Sequence, residues 1–225
     1  MSRHFAQAIE ALNDALSRQE DLVMRCVEDG VHALVTGDAE RARRASQMDR
    51  DVDRAEVRIE EECLKMIALY APVARDLRYL TTVLKVNNDL ERIADHGNNV
   101  ARLTLSLLED RAFALPPQAG EMAARVTEAI SRGIRALRRQ DVEEARSVLA
   151  ADLVIDKLDA EITEEARRTM CQGPTHVDAA LKLYRIGREL ERIADLATNI
   201  AEDTIYLVTG EIVRHTRGLA KRAGA

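Results

Sequence analysis

The amino-acid sequence predicts an all-α protein made of two tandem, sequence-related three-helix bundles, six long antiparallel helices in all. Three observations predict it. The composition suits helices, with 46% hydrophobic and 32% charged residues, only 3% aromatic, no Trp, ten Gly and four Pro in 225 residues. A long unit occurs twice: Leu90-Glu91-Arg92-Ile93-Ala94-Asp95 recurs unchanged as Leu190-Glu191-Arg192-Ile193-Ala194-Asp195, continuing through Asn99/Asn199 and Ala101/Ala201. Apolar residues also recur at three- and four-residue steps between evenly placed breakers.

The elements follow in order. The first helix is expected over 4–35, where Gly37-Asp38 ends it and caps the next. The second runs over 39–70, with a core stripe of Met48, Val52, Ala55, Ile59, Cys63 and Met66, and stops at Ala71-Pro72. The third, 74–109, buries Leu90, Ile93, Ala94, Gly97, Val100 and Ala101. Leu115-Pro116-Pro117 and Gly120 separate the halves. Gln140-Asp141 and Gly173-Pro174 then divide helices over 118–139, 142–171 and 176–209, the last ending near Gly210. Ile155, Leu158 and Ile162, then Leu190, Ile193, Ala194, Ala197, Ile200 and Ala201, repeat the earlier stripes. Short connections between long helices imply antiparallel neighbours. The expected organisation is a first bundle over 1–113, a second over 114–213, and a basic tail over 214–225 with no core of its own, a candidate for disorder.

A net charge of −6 and a pI near 5.5, without a basic run interleaved with aromatics, speak against nucleic-acid binding. Cys26, Cys63 and Cys171 form no Cys-x-x-Cys pair and leave an odd count, which points to a reducing, cytoplasmic setting. No signal-peptide core and no uninterrupted apolar span of membrane length occur, so no membrane insertion is expected. Phosphate-loop, dinucleotide, nucleophile-elbow and His-Glu-x-x-His motifs are missing, and no Glu-x-x-His supports a ferritin-like di-iron site. Arg-rich stretches at 41–44 and 135–139 read as solvated helix faces.

The unusual chemistry is acidic. At 100° per residue, Asp49, Asp53, Glu56 and Glu60 fall within about 60° of one another. Asp152, Asp156 and Asp159 repeat that stripe at an offset of 103 residues, with Thr163 in fourth place. Glu91 and Asp95 stand one turn apart beside Asn88 and Asn98, and Glu191 and Asp195 mirror them. Like charges at this spacing cost roughly 0.2–0.5 kcal/mol per pair, so something must offset the repulsion. Two answers fit: Arg92, Arg192, Arg54 and Lys157 pair with the acids, or hard divalent or trivalent cations bind between the helices. Asn99 and Asn199 read as polar contacts or as groups orienting carboxylates. His96, aligned with Leu196, reads as a core or boundary residue, and His4, His32, His176 and His215 as surface residues.

The duplicated hexapeptide with its following Asn and Ala, the upstream Asp-x-x-x-Asp helix, Pro72-Val73-Ala74-Arg75-Asp76-Leu77-Arg78 and Ile205-Tyr206-Leu207-Val208-Thr209-Gly210-Glu211 together resemble the PhoU family. The resemblance spans roughly residues 10–211. It implies two similar three-helix bundles carrying metal ions or clusters on paired acidic motifs. By position the implied ligands are Asp49, Asp53, Glu91 and Asp95, then Asp152, Asp156, Glu191 and Asp195, for iron, zinc, manganese or magnesium. It further implies a non-enzymatic negative regulator of phosphate homeostasis, often a homodimer. Such a regulator contacts the ATPase subunit of the phosphate ABC transporter and the phosphate-sensing histidine kinase of a two-component system. A metal-dependent hydrolase or phosphate-binding metalloprotein on the same arrays, and a plain interaction bundle with arginine-paired acids, are the competing expectations.

Overall fold

The structure is a computed structural model that describes residues 3–109 and 115–213. Six α-helices appear there: α1 (Arg3–Thr36), α2 (Ala39–Tyr70), α3 (Ala74–Leu108), α4 (Pro117–Arg139), α5 (Val142–Met170) and α6 (Val177–Thr209), with a 3₁₀ turn at Pro174–His176. Each predicted span is met to within one residue. The expected boundary at 113/114, the basic tail and His215 lie outside the described residues.

Local chemistry sets the ends. Asp38 accepts hydrogen bonds from the Glu40 and Arg41 amides at 3.0 and 3.2 Å, and Asp141 from the Glu144 amide at 3.0 Å, meeting donors that the first helical turn leaves open. Gly210, at φ 79°, turns α6 off through a left-handed residue whose amide reaches Tyr206 O at 2.9 Å. Pro117 stands at the start of α4, where its missing N–H costs nothing.

Within each half the three helices pack on one another; between halves α3 lies against α6 and α1 against α4, leaving α2 and α5 outermost. The predicted stripes form the core, with Ile59, Leu90, Ile93, Ile155, Ile162, Leu190 and Ile193 among its largest fully buried side chains; Met48 is only half-buried. Gly97 belongs to that stripe for a steric reason. A Cβ on Gly30 of α1 would stand 2.8 Å from the Gly97 carbonyl oxygen, whereas one on Gly133, the counterpart in α4, would stand 3.3 Å from Ala197 O. Gly30→Ala is therefore expected to destabilise the chain. Overpacking costs about 1–3 kcal/mol and here displaces backbone, which outweighs the roughly 1 kcal/mol that Ala gains over Gly in a helix. Gly133→Ala should be near neutral. Paired thermal melts test the contrast, and equal shifts would show that the α1–α3 approach is not tight.

Polar bonds clasp the halves together. Arg78 Nε in α3 donates to Leu207 O at the end of α6 (3.1 Å), and Lys182 Nζ in α6 donates to Ser106 O near the end of α3 (3.1 Å). Each long inner helix thus supplies a cation to the other's C-terminal carbonyls, where cations are favoured. Lys85 meets Asp203 at 3.4 Å. Arg138 of α4 reaches across to α1, pairing with the buried Glu20 and with Asp21 at 3.0 Å.

Candidate metal centre

Burial of Val52, Ala55 and Ile59 fixes the rotation of α2, and burial of Leu90, Ile93 and Ala94 fixes that of α3. That rotation brings the acids of the two helices to one seam. Asp49 lies within hydrogen-bonding reach of Asp95, and Asn98 Nδ2 donates to Asp49 Oδ1 at 3.2 Å. Partial burial, then the charges of Asp95, Asp53 and Glu56, push the Glu91 carboxyl up to about 7. Burial followed by Asp49 and Asp53 raises Asp95, and burial followed by Glu60 and Asp53 raises Glu56. These are the effects of like charges gathered where solvent screens them poorly.

The expected arginine partners go elsewhere. Arg54 pairs with Asp51 at 3.4 Å and Arg92 with Asp89 at 3.7 Å. Neither forms an ion pair with a seam acid, although the Arg92 charge partly offsets the rise of Glu91.

The second array gathers the same residues in a different balance. Glu191 is raised by burial and then by Asp195, with further contributions from Asp159 and Asp156, but Arg188 opposes them. Arg188 Nη1 donates to Asp159 Oδ2 at 2.9 Å and its Nη2 lies 3.3 Å from Glu191 Oε2, so one guanidinium spans α5 and α6. Asp152 is half-buried one turn before Asp156 and has interactions of its own. Lys157 and Arg192, the partners suggested by sequence, pair with Glu161 and Glu189, both at 3.8 Å.

The donor chemistry fits a hard cation, with carboxylate oxygens from two helices and one amide oxygen. Asn98 Oδ1 is a buried acceptor without a hydrogen-bond partner, next to the Asp49 carboxylate that its Nδ2 holds, and so offers an oxygen lone pair at the seam. Among the described residues no three His, Cys, Asp or Glu groups close onto one point as a finished coordination shell.

Two contacts at the α3–α6 interface escape sequence reasoning. His96 is half-buried, as a boundary residue, and its Nδ1 lies 2.7 Å from Glu189 Oε2, to which Asn99 Nδ2 also donates at 3.3 Å. Burial alone would raise Glu189; the hydrogen bonds and charge of His96, with Asn99, bring it below its ordinary value. The acid pair Asp89/Glu189, directly before the repeated hexapeptide, was the available signal.

Comparison with known proteins agrees with this architecture. The PhoU domain family model matches residues 16–104 and again 119–204. The phosphate-specific transport system accessory protein PhoU homolog 1 of Thermotoga maritima is 31% identical over 209 residues, covering 92% of this chain and 90% of its own. The crystal structure of PhoU from Pseudomonas aeruginosa superposes with a TM-score of 0.87 at 31% identity, over 92% of this chain and 100% of that one. The phosphate transport system regulatory protein PhoU from Streptococcus pneumoniae gives 0.85 at 26% identity, over 93% and 99%. These relatives are named as accessory and regulatory proteins, not as enzymes. Both copies of the domain fall within the duplicated unit, so the chain belongs to the PhoU family.

Proposed function

We propose that this chain is an accessory regulator of phosphate uptake, a helical adaptor that holds divalent or trivalent cations on its carboxylate arrays and acts by docking on partner proteins. The observation that carries the cation reading is the first array: six acids from α2 and α3 in mutual repulsion, with Glu91 driven to about 7 and none of the six in an ion pair with an arginine or lysine among the described residues. Asp49, Asp53, Glu91 and Asp95 would hold the ion in the first half, and Asp152, Asp156, Glu191 and Asp195 in the second. A bound cation supplies charge neutralisation, tying outer to inner helix. The chain's own part is to present the oxygens from rigid helices and to keep Asn98 against Asp49.

The regulatory reading rests on the relatives, whose names attach them to phosphate transport systems. The partners that membership of this family implies are the ATPase subunit of a phosphate ABC transporter and a phosphate-sensing histidine kinase, contacted from the cytoplasm. Among the described residues no helix is long and apolar enough to cross a membrane. Two measurements test the proposal. Elemental analysis of protein purified without chelator should find transition metal or magnesium, lost with Asp53→Ala plus Glu91→Ala. Pull-down from phosphate-replete cells should recover the transporter ATPase or the kinase. Metal-free protein that recovers neither would overturn both parts.

A further inference from the structure

The two halves place equivalent acids in equivalent positions, but one of them carries its own cation. Aligned on the repeated hexapeptide, Glu91, Asp95, Asp53 and Glu56 correspond to Glu191, Asp195, Asp156 and Asp159. The acids acting on Glu91 and on Glu191 match member for member, but the arginine differs: Arg92 opposes them weakly and last in the first set, whereas Arg188, second only to Asp195 among the charges, opposes them in the second through direct contacts with Asp159 and Glu191. The counterpart of Arg188 is Asn88, an exposed neutral residue.

We propose that Arg188 is a built-in counter-cation of the second array, bridging Asp159 and Glu191, so that the two copies take up metal unequally and the first array is the stronger site. This rests on the cation reading of the arrays. The geometry is that of a guanidinium serving two carboxylates on different helices: 2.9 Å to Asp159 on α5 and 3.3 Å to Glu191 on α6. A planar, permanently charged fork suits that task, and its charge sits where an incoming ion would have to approach Glu191. A metal there must displace the guanidinium from Glu191 or bind beside a like charge, and both weaken it. The first array has no such competitor. Arg92 acts on Glu91 only through space, its guanidinium being paired with Asp89 at 3.7 Å. The second array is accordingly neutralised in part by the protein's own charge, and the first relies more heavily on an ion from solution.

The test uses full-length, chelator-stripped protein and Mn²⁺ as the probe, with calorimetric titration and thermal melts of wild type, Arg188→Asn and Asn88→Arg. Glu91→Gln and Glu191→Gln assign each binding class to its array. Wild type should show a tight class at the first array and a second class at least tenfold weaker. Arg188→Asn should tighten that second class at least tenfold and lower the metal-free melting temperature, since Asp159 and Glu191 lose their partner. Asn88→Arg, at an exposed position, should weaken the first class at least tenfold and raise the metal-free melting temperature. Two classes of equal affinity, unmoved by either substitution, overturn the role of Arg188 while leaving the cation reading in place. No Mn²⁺ uptake by wild type or any variant overturns both.

Discussion

Arg138→Ala is expected to destabilise the chain by roughly 3 kcal/mol at neutral pH, a large share of the about 5–15 kcal/mol that holds a typical domain folded. Glu20 is 1% exposed, and Arg138 is its cationic partner, reaching from α4 of the second half to α1 of the first. Removing the guanidinium strands a carboxylate in the interface, which costs more than the intact pair ever contributed. The pH dependence follows from the direction of the Glu20 shift. Burial raises its carboxyl above the ordinary value even with Arg138 present, and loss of Arg138 removes the main influences that lower it. A group so raised favours the fold when protonated and withdraws that support as pH rises through its folded-state value. The deficit of the variant relative to wild type should therefore be greatest at pH 7 to 8 and should shrink toward pH 4.5. Urea titrations at those pH values, with Glu20→Gln added to Arg138→Ala as the rescuing change, decide the matter. A variant that matches wild type at neutral pH would show that Glu20 does not need its partner.

Glu91→Gln should move stability in opposite directions with and without metal. In chelated wild type the Glu91 carboxyl, at about 7 against an ordinary 4.5, binds its proton more tightly in the folded chain than in the unfolded one. Stability from that proton is complete below about 4.5 and gone above about 7, so at pH 8 the ionised group works against the fold. The neutral amide should raise the metal-free melting temperature at pH 8 and make little difference at pH 5. In Mn²⁺ at a hundredfold excess over its dissociation constant, wild type should gain about 2.7 kcal/mol, roughly 5–10 °C for a chain of this size, and Glu91→Gln should lose most of that gain. A variant that melts lower than wild type under both conditions would mark Glu91 as a structural group only.

The architecture was readable because it is written in local signals repeated twice. Asp38, Asp141, Pro117 and Gly210 punctuate the helices, and the three- and four-residue apolar steps name the buried faces, so every helix end was met to within one residue. The acid seam was readable for the same reason, since positions one turn apart on a known face must line up. What balances the charge was not. Spacing offered Arg54, Arg92, Lys157 and Arg192, each of which pairs elsewhere, while Arg188 reaches Asp159 across to a neighbouring helix. Which partner a long side chain takes depends on the rotation of two helices against each other, and no single-helix pattern holds that information. His96 with Glu189, and Arg138 with Glu20, were hidden for the same reason: both pairs join residues from different halves.

The exchange of cations between α3 and α6, Arg78 on Leu207 O and Lys182 on Ser106 O, bears on how the molecule comes apart. Fraying at the tail of either inner helix withdraws an acceptor from the head of the other, so local opening on one side propagates across the junction. A doubled sequence would ordinarily melt in two steps, one for each copy. Here the reciprocal clasp is expected to give a single endotherm in calorimetry, with the chain opening as one cooperative unit despite its ancestry as two.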